Sequence, residues 1–351
     1  MTAARRPAAP ARPPAPAAVL CGVGGWVPPR EVTNAELSRR LDTSDEWIRS
    51  RTGIRERRMI NPGDATSDLA VEAGRLALKS SGEGDADAVV LATTTPDRPC
   101  PGTAPEVAHR LGLTGAAAFD VSAVCTGFLY ALAAGQGLIA AGTARRVLVV
   151  AADAFTTIID PADRGTAVIF ADGAGAVVLR AGEPDEPGAL GRVVLGSDGE
   201  QAELIQVPAG GSRQRSTGRP APERDHYFQM RGRETFRQAV GHMSAASRAA
   251  VADAGWRLAD VDRVVAHQAN ARILAAVADE LELAEDRLLS NIAHVGNTGG
   301  ASIPLLLAQA QEGLPSVSGG RLAAGDRLLL TAFGAGLAWG ATALVWPDLP
   351  G

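Results

Sequence analysis

Apolar positions fall in two kinds of run along this chain. Short, near-continuous stretches of Val, Leu and Ala read as strands buried on both faces: Val19–Val27, Ala88–Ala92, Arg146–Ala152 and Ala174–Leu179. Between them, apolar residues recur at helical spacing in Thr66–Ser80, Ala104–Leu111 and Gly127–Gly135. Asn34-Ala-Glu-Leu reads as a cap and short helix. Thr166–Phe170 reads as a strand joined to Ala174–Leu179 by Ala171-Asp-Gly-Ala. A glycine-rich phosphate loop would lead into a helix there, but a strand-like run follows, so a hairpin is predicted. Thr93–Thr103 is a Pro-rich loop, and 208–225, rich in Gly, Pro and Arg, reads as a surface loop.

The pattern then repeats. A helix over Ala245–Gly255 leads into Asp260-Val-Asp-Arg-Val-Val-Ala-His267, as Val71–Gly82 leads into Asp85-Ala-Asp-Ala-Val-Val-Leu-Ala92. Asn297-Thr-Gly-Gly-Ala-Ser begins a helix, as Cys125-Thr-Gly-Phe-Leu does, and Asp326–Leu330 follows as Arg145–Val149 does. This is one α/β unit used twice, not a short-period solenoid. Strands alternating with helices imply covered sheets, and two such units imply stacked layers about a pseudo-two-fold axis. The expected division is 1–17, 18–184 and 185–351, with the boundary between the halves at Pro184–Pro187.

Composition narrows the function. At 351 residues and 46% apolar, the chain can bury a large core, built of aliphatic residues because aromatics are only 4%. Residues 1–17, almost all Ala, Pro and Arg, are expected to be disordered, and they lack the apolar stretch of a signal peptide. A net charge of -5 without a basic run argues against nucleic acid, and no apolar run suggests a membrane span. Cys21, Cys100 and Cys125 form neither a metal spacing nor a disulfide framework, which fits the cytoplasm.

The chemistry centres on Phe119-Asp-Val-Ser-Ala-Val-Cys125-Thr-Gly-Phe-Leu129. A strand-like run turns through small residues into a helix, placing Cys125 at a helix N-terminus, where free N–H groups and the dipole favour a thiolate. Asn297 falls at the equivalent helix start of the second half, and His267 ends a buried strand there. Points related by a pseudo-two-fold axis can face one another. A thiolate can take an acyl group from a thioester. Backbone N–H groups, one at Cys125 and one in the turn Phe333-Gly-Ala-Gly336, would hold the oxyanion. His267 and Asn297 could then donate to a second carbonyl as it becomes an enolate. If a malonyl group supplies that enolate by losing carbon dioxide, no basic side chain is needed. A papain-like protease uses the same three residue types, but its local signature is absent.

Asp42-Thr-Ser-Asp-Glu-Trp-Ile, Arg51-Thr-Gly-Ile-Arg-Glu-Arg57, Asp163-Arg-Gly-Thr166, His267-Gln-Ala-Asn270 and Gly296-Asn-Thr298, together with the segments above, resemble β-ketoacyl-acyl-carrier-protein synthase III of the thiolase superfamily. The likeness runs from about Val19 to Trp346. It implies a duplicated five-layer αβαβα fold, a homodimer, acyl-CoA and malonyl-acyl carrier protein as substrates, and no cofactor or metal. It assigns Cys125 as nucleophile, His267 and Asn297 as enolate stabilisers, and the N–H groups of Cys125 and Ala335 as the oxyanion hole. Trp47 would stack on the adenine of coenzyme A with Thr43 nearby. Arg51, Arg164 and Arg272 would border the phosphates and the pantetheine tunnel, with Asn270, and Gly232 would leave room for the pantetheine arm. A second cysteine near the C-terminal turn, required in a thiolase, is absent from 326–340, and the second histidine of the elongating synthases is replaced by Asn297.

Three departures from the family pattern stand out. Arg98-Pro-Cys100-Pro replaces an aromatic that closes the acyl pocket across the dimer, so Cys100 would open room for a starter other than acetyl. Gly299-Gly300 replaces the more usual small residues. The helix after His267 carries Asp279, Glu280 and Glu282 where basic residues usually meet the carrier, leaving Arg233 and Arg237 nearby. These tilt the expectation towards a polyketide priming synthase over fatty-acid initiation. Two other readings are an acyltransferase on the same scaffold that serves a non-malonyl acceptor, and an inert partner subunit, against which Cys125, His267 and Asn297 all speak.

Overall fold

The computed structural model describes residues 15–350. The buried aliphatic runs become two sheets. The first contains β1 (Ala17–Trp26), β2 (Ala88–Ala92), β3 (Ala117–Val121), β4 (Arg146–Asp153) and β5 (Gly173–Gly182), in the order β1-β5-β4-β2-β3. The second contains β6 (Val194–Ser197), β7 (Arg263–Ala266), β8 (Arg327–Gly334) and β9 (Ala338–Val345), in the order β7-β8-β9-β6. Strand directions repeat. β1–β5 and β5–β4 are antiparallel while β4–β2 is parallel; β6–β9 and β9–β8 are antiparallel while β8–β7 is parallel. Beyond β2 the first sheet adds a parallel β3, whereas beyond β7 the second has, among the described residues, only the single parallel bridge Val264–Leu288.

The helices that matter here are α1 (Asp45–Thr52), α2 (Thr66–Ser80), α3 (Ala104–Arg110), α4 (Gly127–Ala140), α5 (Gly232–Asp253), α6 (Ala271–Glu280) and α7 (Ser302–Glu312). α2 and α3 cover the outer face of the first sheet, α5 with α6 covers that of the second, and α4 and α7 lie between the sheets. Period-two alternation sorts the strand residues between these layers. Val90, Val147, Val149 and Val177 join the central core with Leu129 and Leu306, while Val89, Leu91, Leu148 and Val178 face α2 and α3. Each such side chain contributes about 1.5–3 kcal/mol when fully buried. α7 is buried from Ser302 to Gln311 and tolerates Pro304 because that residue lies in its first turn. The result is the five-layer αβαβα arrangement of the thiolase fold.

Several local expectations change. Thr166–Phe170 is a series of turns, not a strand. Asp163 accepts from the Gly165 N–H at 2.8 Å and the Thr166 hydroxyl at 2.7 Å, and this side-chain capture of the backbone competes with a ladder. β5 pairs instead with β1 and β4. The helix expected from Ala245 begins at Gly232, and the one expected at Asn297 begins at Ser302 after a 3₁₀ turn over Gly299–Ala301. Most of the extension 1–17 lies outside the described residues, and Ala17 at its end already pairs with Gly182. The chain passes from one sheet to the other near Leu190, whose N–H bonds Ala18, while Gly191 bonds Ala343.

Candidate active site

The structure brings Cys125, His267 and Asn297 to the walls of one cavity of about 580 Å³. All three are buried. Arg51, Gly232, Asn270 and Arg272 line the same cavity, as do Arg233 and Arg237. The four arginines are exposed, so a cationic rim leads down to a base walled by Phe170, Phe228, Ala239, Met243 and Phe333.

Cys125 sits in a 3₁₀ turn, Val124–Thr126, that feeds directly into α4. Val124 has φ 47°, a left-handed conformation that a β-branched residue adopts only under constraint. The turn after β8 presses on this residue from the other half. A Cβ on Gly334 would lie 2.8 Å from the Cys125 Cβ and 3.0 Å from its nitrogen, so only glycine permits the contact. The N–H groups of Cys125 and Ala335 have no backbone acceptor among the described residues. Ala335 itself is half-buried and does not line the cavity, whose wall includes its neighbours Phe333 and Gly334.

The resting thiolate expected from the helix N-terminus is corrected. Burial, with the Asp153 carboxylate second, pushes the Cys125 thiol up to about 12. The Cys125 backbone N–H acts the other way, and desolvation is the larger cause. The resting nucleophile is therefore a thiol.

His267 follows β7. Its Nδ1 lies 2.7 Å from the Ser302 hydroxyl, which accepts the Gln268 N–H at 3.2 Å. Nδ1 is then the available acceptor for the Ser302 proton, which leaves Nε2 carrying hydrogen as the free donor. Burial pushes His267 down to about 4, so the ring is neutral at physiological pH. The Asn297 amide is also oriented. Its Oδ1 accepts the Gly299 N–H at 2.9 Å and its Nδ2 reaches the Ala269 carbonyl at 3.4 Å, leaving one N–H for the cavity. Its backbone is clamped to the first half: Ala171 N–H to the Asn297 carbonyl at 2.8 Å, Asn297 N–H to the Ile169 carbonyl at 3.0 Å. Gly296 permits this, with φ 84° and a notional Cβ 2.9 Å from the β-carbons of Ala171 and Arg57. The cavity thus brings together a buried thiol and two neutral, oriented donors.

Other expected contacts fall outside the cavity wall. Trp47 is half-buried, with the Arg164 guanidinium 5.4 Å above its ring. Arg164 also bonds the Asp42 carbonyl at 2.7 Å and its carboxylate at 3.3 Å. The Thr43 hydroxyl is buried without a partner among the described residues. Cys100 is exposed and lies outside this cavity.

Sequence reasoning missed three features. Phe170 stacks on Phe155 at 4.5 Å and both meet Phe228 edge-on, forming a stiff wall from segments distant in sequence. Ser302 orients His267. Asp153 ends β4 fully buried and is pushed up to about 7 by desolvation; a carboxylate closing a strand that is apolar from Val147 to Ala152 was the available signal.

A five-layer duplicated fold with a cysteine, an imidazole and a carboxamide around one tunnel defines a condensing-enzyme type of thiolase-fold protein. Family models described as 3-oxoacyl-[acyl-carrier-protein] synthase III match residues 119–199, and that family's C-terminal model matches 251–346. β-Ketoacyl-acyl-carrier-protein synthase III 3 of Streptomyces coelicolor is 57% identical over 94% of this chain and 98% of that protein. The Pseudomonas aeruginosa synthase III is 51% identical over 95% and 98%. The crystal structure of synthase III from Pseudomonas aeruginosa superposes with a TM-score of 0.87 at 49% identity, covering 95% of this chain and all of that one. A priming β-ketosynthase from a polyketide biosynthetic pathway gives 0.87 at 35% identity, covering 97% and 100%. The chain belongs to the 3-oxoacyl-acyl-carrier-protein synthase III family. Among the described residues no helix is long and apolar enough to cross a membrane.

Proposed function

We propose that the protein condenses an acyl group from acyl-CoA with malonyl-acyl carrier protein, giving a β-ketoacyl-carrier protein and carbon dioxide. One observation carries this reading: two neutral, oriented donors face a buried cysteine across one cavity. Cys125 attacks the thioester, the C–S bond to coenzyme A breaks, and the thiol proton ends on the departing coenzyme A, so acyl exchange needs no net base. The N–H groups of Cys125 and Ala335 hold the oxyanion. Malonyl then loses carbon dioxide, and the electron pair moves into an enolate held by His267 Nε2–H and the Asn297 amide. The enolate carbon attacks the acyl-cysteine, and the released sulfur takes a proton from water.

Arg51, Arg164 and Arg272 serve the phosphates of coenzyme A, Trp47 and Thr43 its adenine end, and Gly232 and Asn270 the pantetheine arm; guanidinium groups suit phosphate geometry. Arg233 and Arg237 at the rim give an acidic carrier a basic landing, which the exposed Asp279, Glu280 and Glu282 do not. The halves 18–184 and 185–351 each contribute one side of the site. A homodimer is supported by β3, an edge strand with Phe119 38% exposed, which a second copy would cover. The product starts fatty-acid or polyketide chains; the Cys100 loop and the acidic end of α6 favour a specialised polyketide starter.

Release of labelled carbon dioxide from a malonyl-carrier donor in the presence of acyl-CoA tests the reading. Acyl transfer to another acceptor without carbon dioxide would replace it with the acyltransferase alternative.

A further inference from the structure

We propose that Asp153 is a positioning residue that sets the Asn297 amide and the Cys125 turn against each other, and that Gly299-Gly300 is the gap that admits its carboxylate. This rests on the reading of Asn297 as a donor to the malonyl carbonyl.

Two loops, one from each half, converge on this fully buried side chain. Its Oδ1 accepts the Thr94 N–H at 2.7 Å and its Oδ2 accepts the Gly300 N–H at 2.8 Å. The neighbouring N–H, that of Gly299, holds the Asn297 Oδ1. Successive peptide groups thus fix the donor and anchor it to the first half. A Cβ at position 299 would lie 2.5 Å from the Asp153 Oδ2, on a backbone with φ 60°. A Cβ at 300 would lie 2.8 Å from the carbonyl of Val124, the left-handed residue before the nucleophile. Side chains at either place would push the carboxylate, the Asn297 loop and the Cys125 turn apart.

Asp153 also reaches Cys125 electrostatically, because its negative charge opposes the thiolate. The groups packed on Asp153 from the 93–95 loop and from 299–300 are uncharged, and Cys125 is the titratable group that faces it among the described residues.

Asp153→Asn keeps the shape but can accept only one of the two N–H groups well. Three readouts decide: acyl-CoA adduct formation on Cys125, carbon dioxide release from malonyl-carrier, and the pH profile of Cys125 alkylation by iodoacetamide. The expected result is retained acylation, carbon dioxide release lowered by about tenfold or more, and an alkylation midpoint moved to lower pH. Gly299→Ala keeps the charge and pushes the carboxylate away from the Asn297 loop, so carbon dioxide release should fall more than Cys125 acylation. It also decides the matter if Asp153→Asn does not fold. Carbon dioxide release within twofold of wild type in Asp153→Asn, an unshifted alkylation profile in that variant, or equal loss of both half-reactions in Gly299→Ala would overturn the proposal. The alkylation profile needs neither substrate, so it stands apart from failure of the condensation reading, in which the wild-type chain itself would release no carbon dioxide.

Discussion

The two halves build the same ladder and part at its C-terminal ends. In the first, β2 has a full parallel neighbour in β3, and the chain passes from the Val124–Thr126 turn straight into α4. In the second, one bridge stands where β3 would be, and a 3₁₀ turn separates Asn297 from α7. The tight connection presents main-chain N–H groups beside a short nucleophilic side chain, which suits an oxyanion. The looser one presents a side-chain amide, which then needs external anchors at Ile169–Ala171 and Asp153. In the proposed reading, one fold unit used twice becomes an electrophile's receptor on one side and an enolate's on the other because of a few residues of slack.

That contrast can be broken most sharply at the nucleophile. Cys125→Ala should lower condensation on the order of 10⁴-fold or more, measured with acyl-CoA and malonyl-carrier, because no covalent intermediate forms. Asn297→Ala should spare Cys125 acylation while decarboxylation slows by roughly 10²–10³-fold, the size of a lost donor worth about 2.7–4 kcal/mol. Equal loss of both steps would show that the sides do not divide the labour.

A stability measurement sharpens the same comparison. His267 is held down to about 4 and Asp153 up to about 7. Between about pH 4 and 6.5 the unfolded chain binds a proton at the histidine that the folded one refuses, so this group makes stability fall as pH drops. At Asp153 the folded state binds the extra proton, so stability falls as pH rises from about 3.8 to 7. The two slopes oppose each other across most of that window. Asp153→Asn removes the aspartate slope, so relative to wild type denaturant titrations should show about 3 kcal/mol less stability at pH 4 than at pH 7.

The smallest effect belongs to the entrance. Trp47→Ala should raise KM for acyl-CoA roughly tenfold, the scale of one lost base stack, with kcat little changed. An unchanged KM would mean that Trp47 serves only as a platform for Arg164.

Much of this was legible in the chain. Repetition of the strand-helix pattern exposed the duplication, the equivalent helix starts exposed Cys125 and Asn297, and the end of a buried strand exposed His267. What escaped depends on contacts between distant segments. The aromatic wall joins Phe155, Phe170 and Phe228, and the Ser302 hydroxyl meets His267 only once α7 lies between the sheets. The acidity of Cys125 escaped for the same reason: its local turn speaks for a thiolate, and only the covering half supplies the burial that reverses it. Thr166–Phe170 failed locally, because the Asp163 side chain decides its conformation.

Intact-mass spectrometry of the purified chain, first with acyl-CoA and then with malonyl-carrier protein, tests the shared-cavity account most directly. The predicted record is one acyl adduct, mapped to Cys125, that disappears on addition of the malonyl donor as carbon dioxide is released. An adduct that forms elsewhere, or that persists on Cys125 while carbon dioxide is evolved, would contradict it.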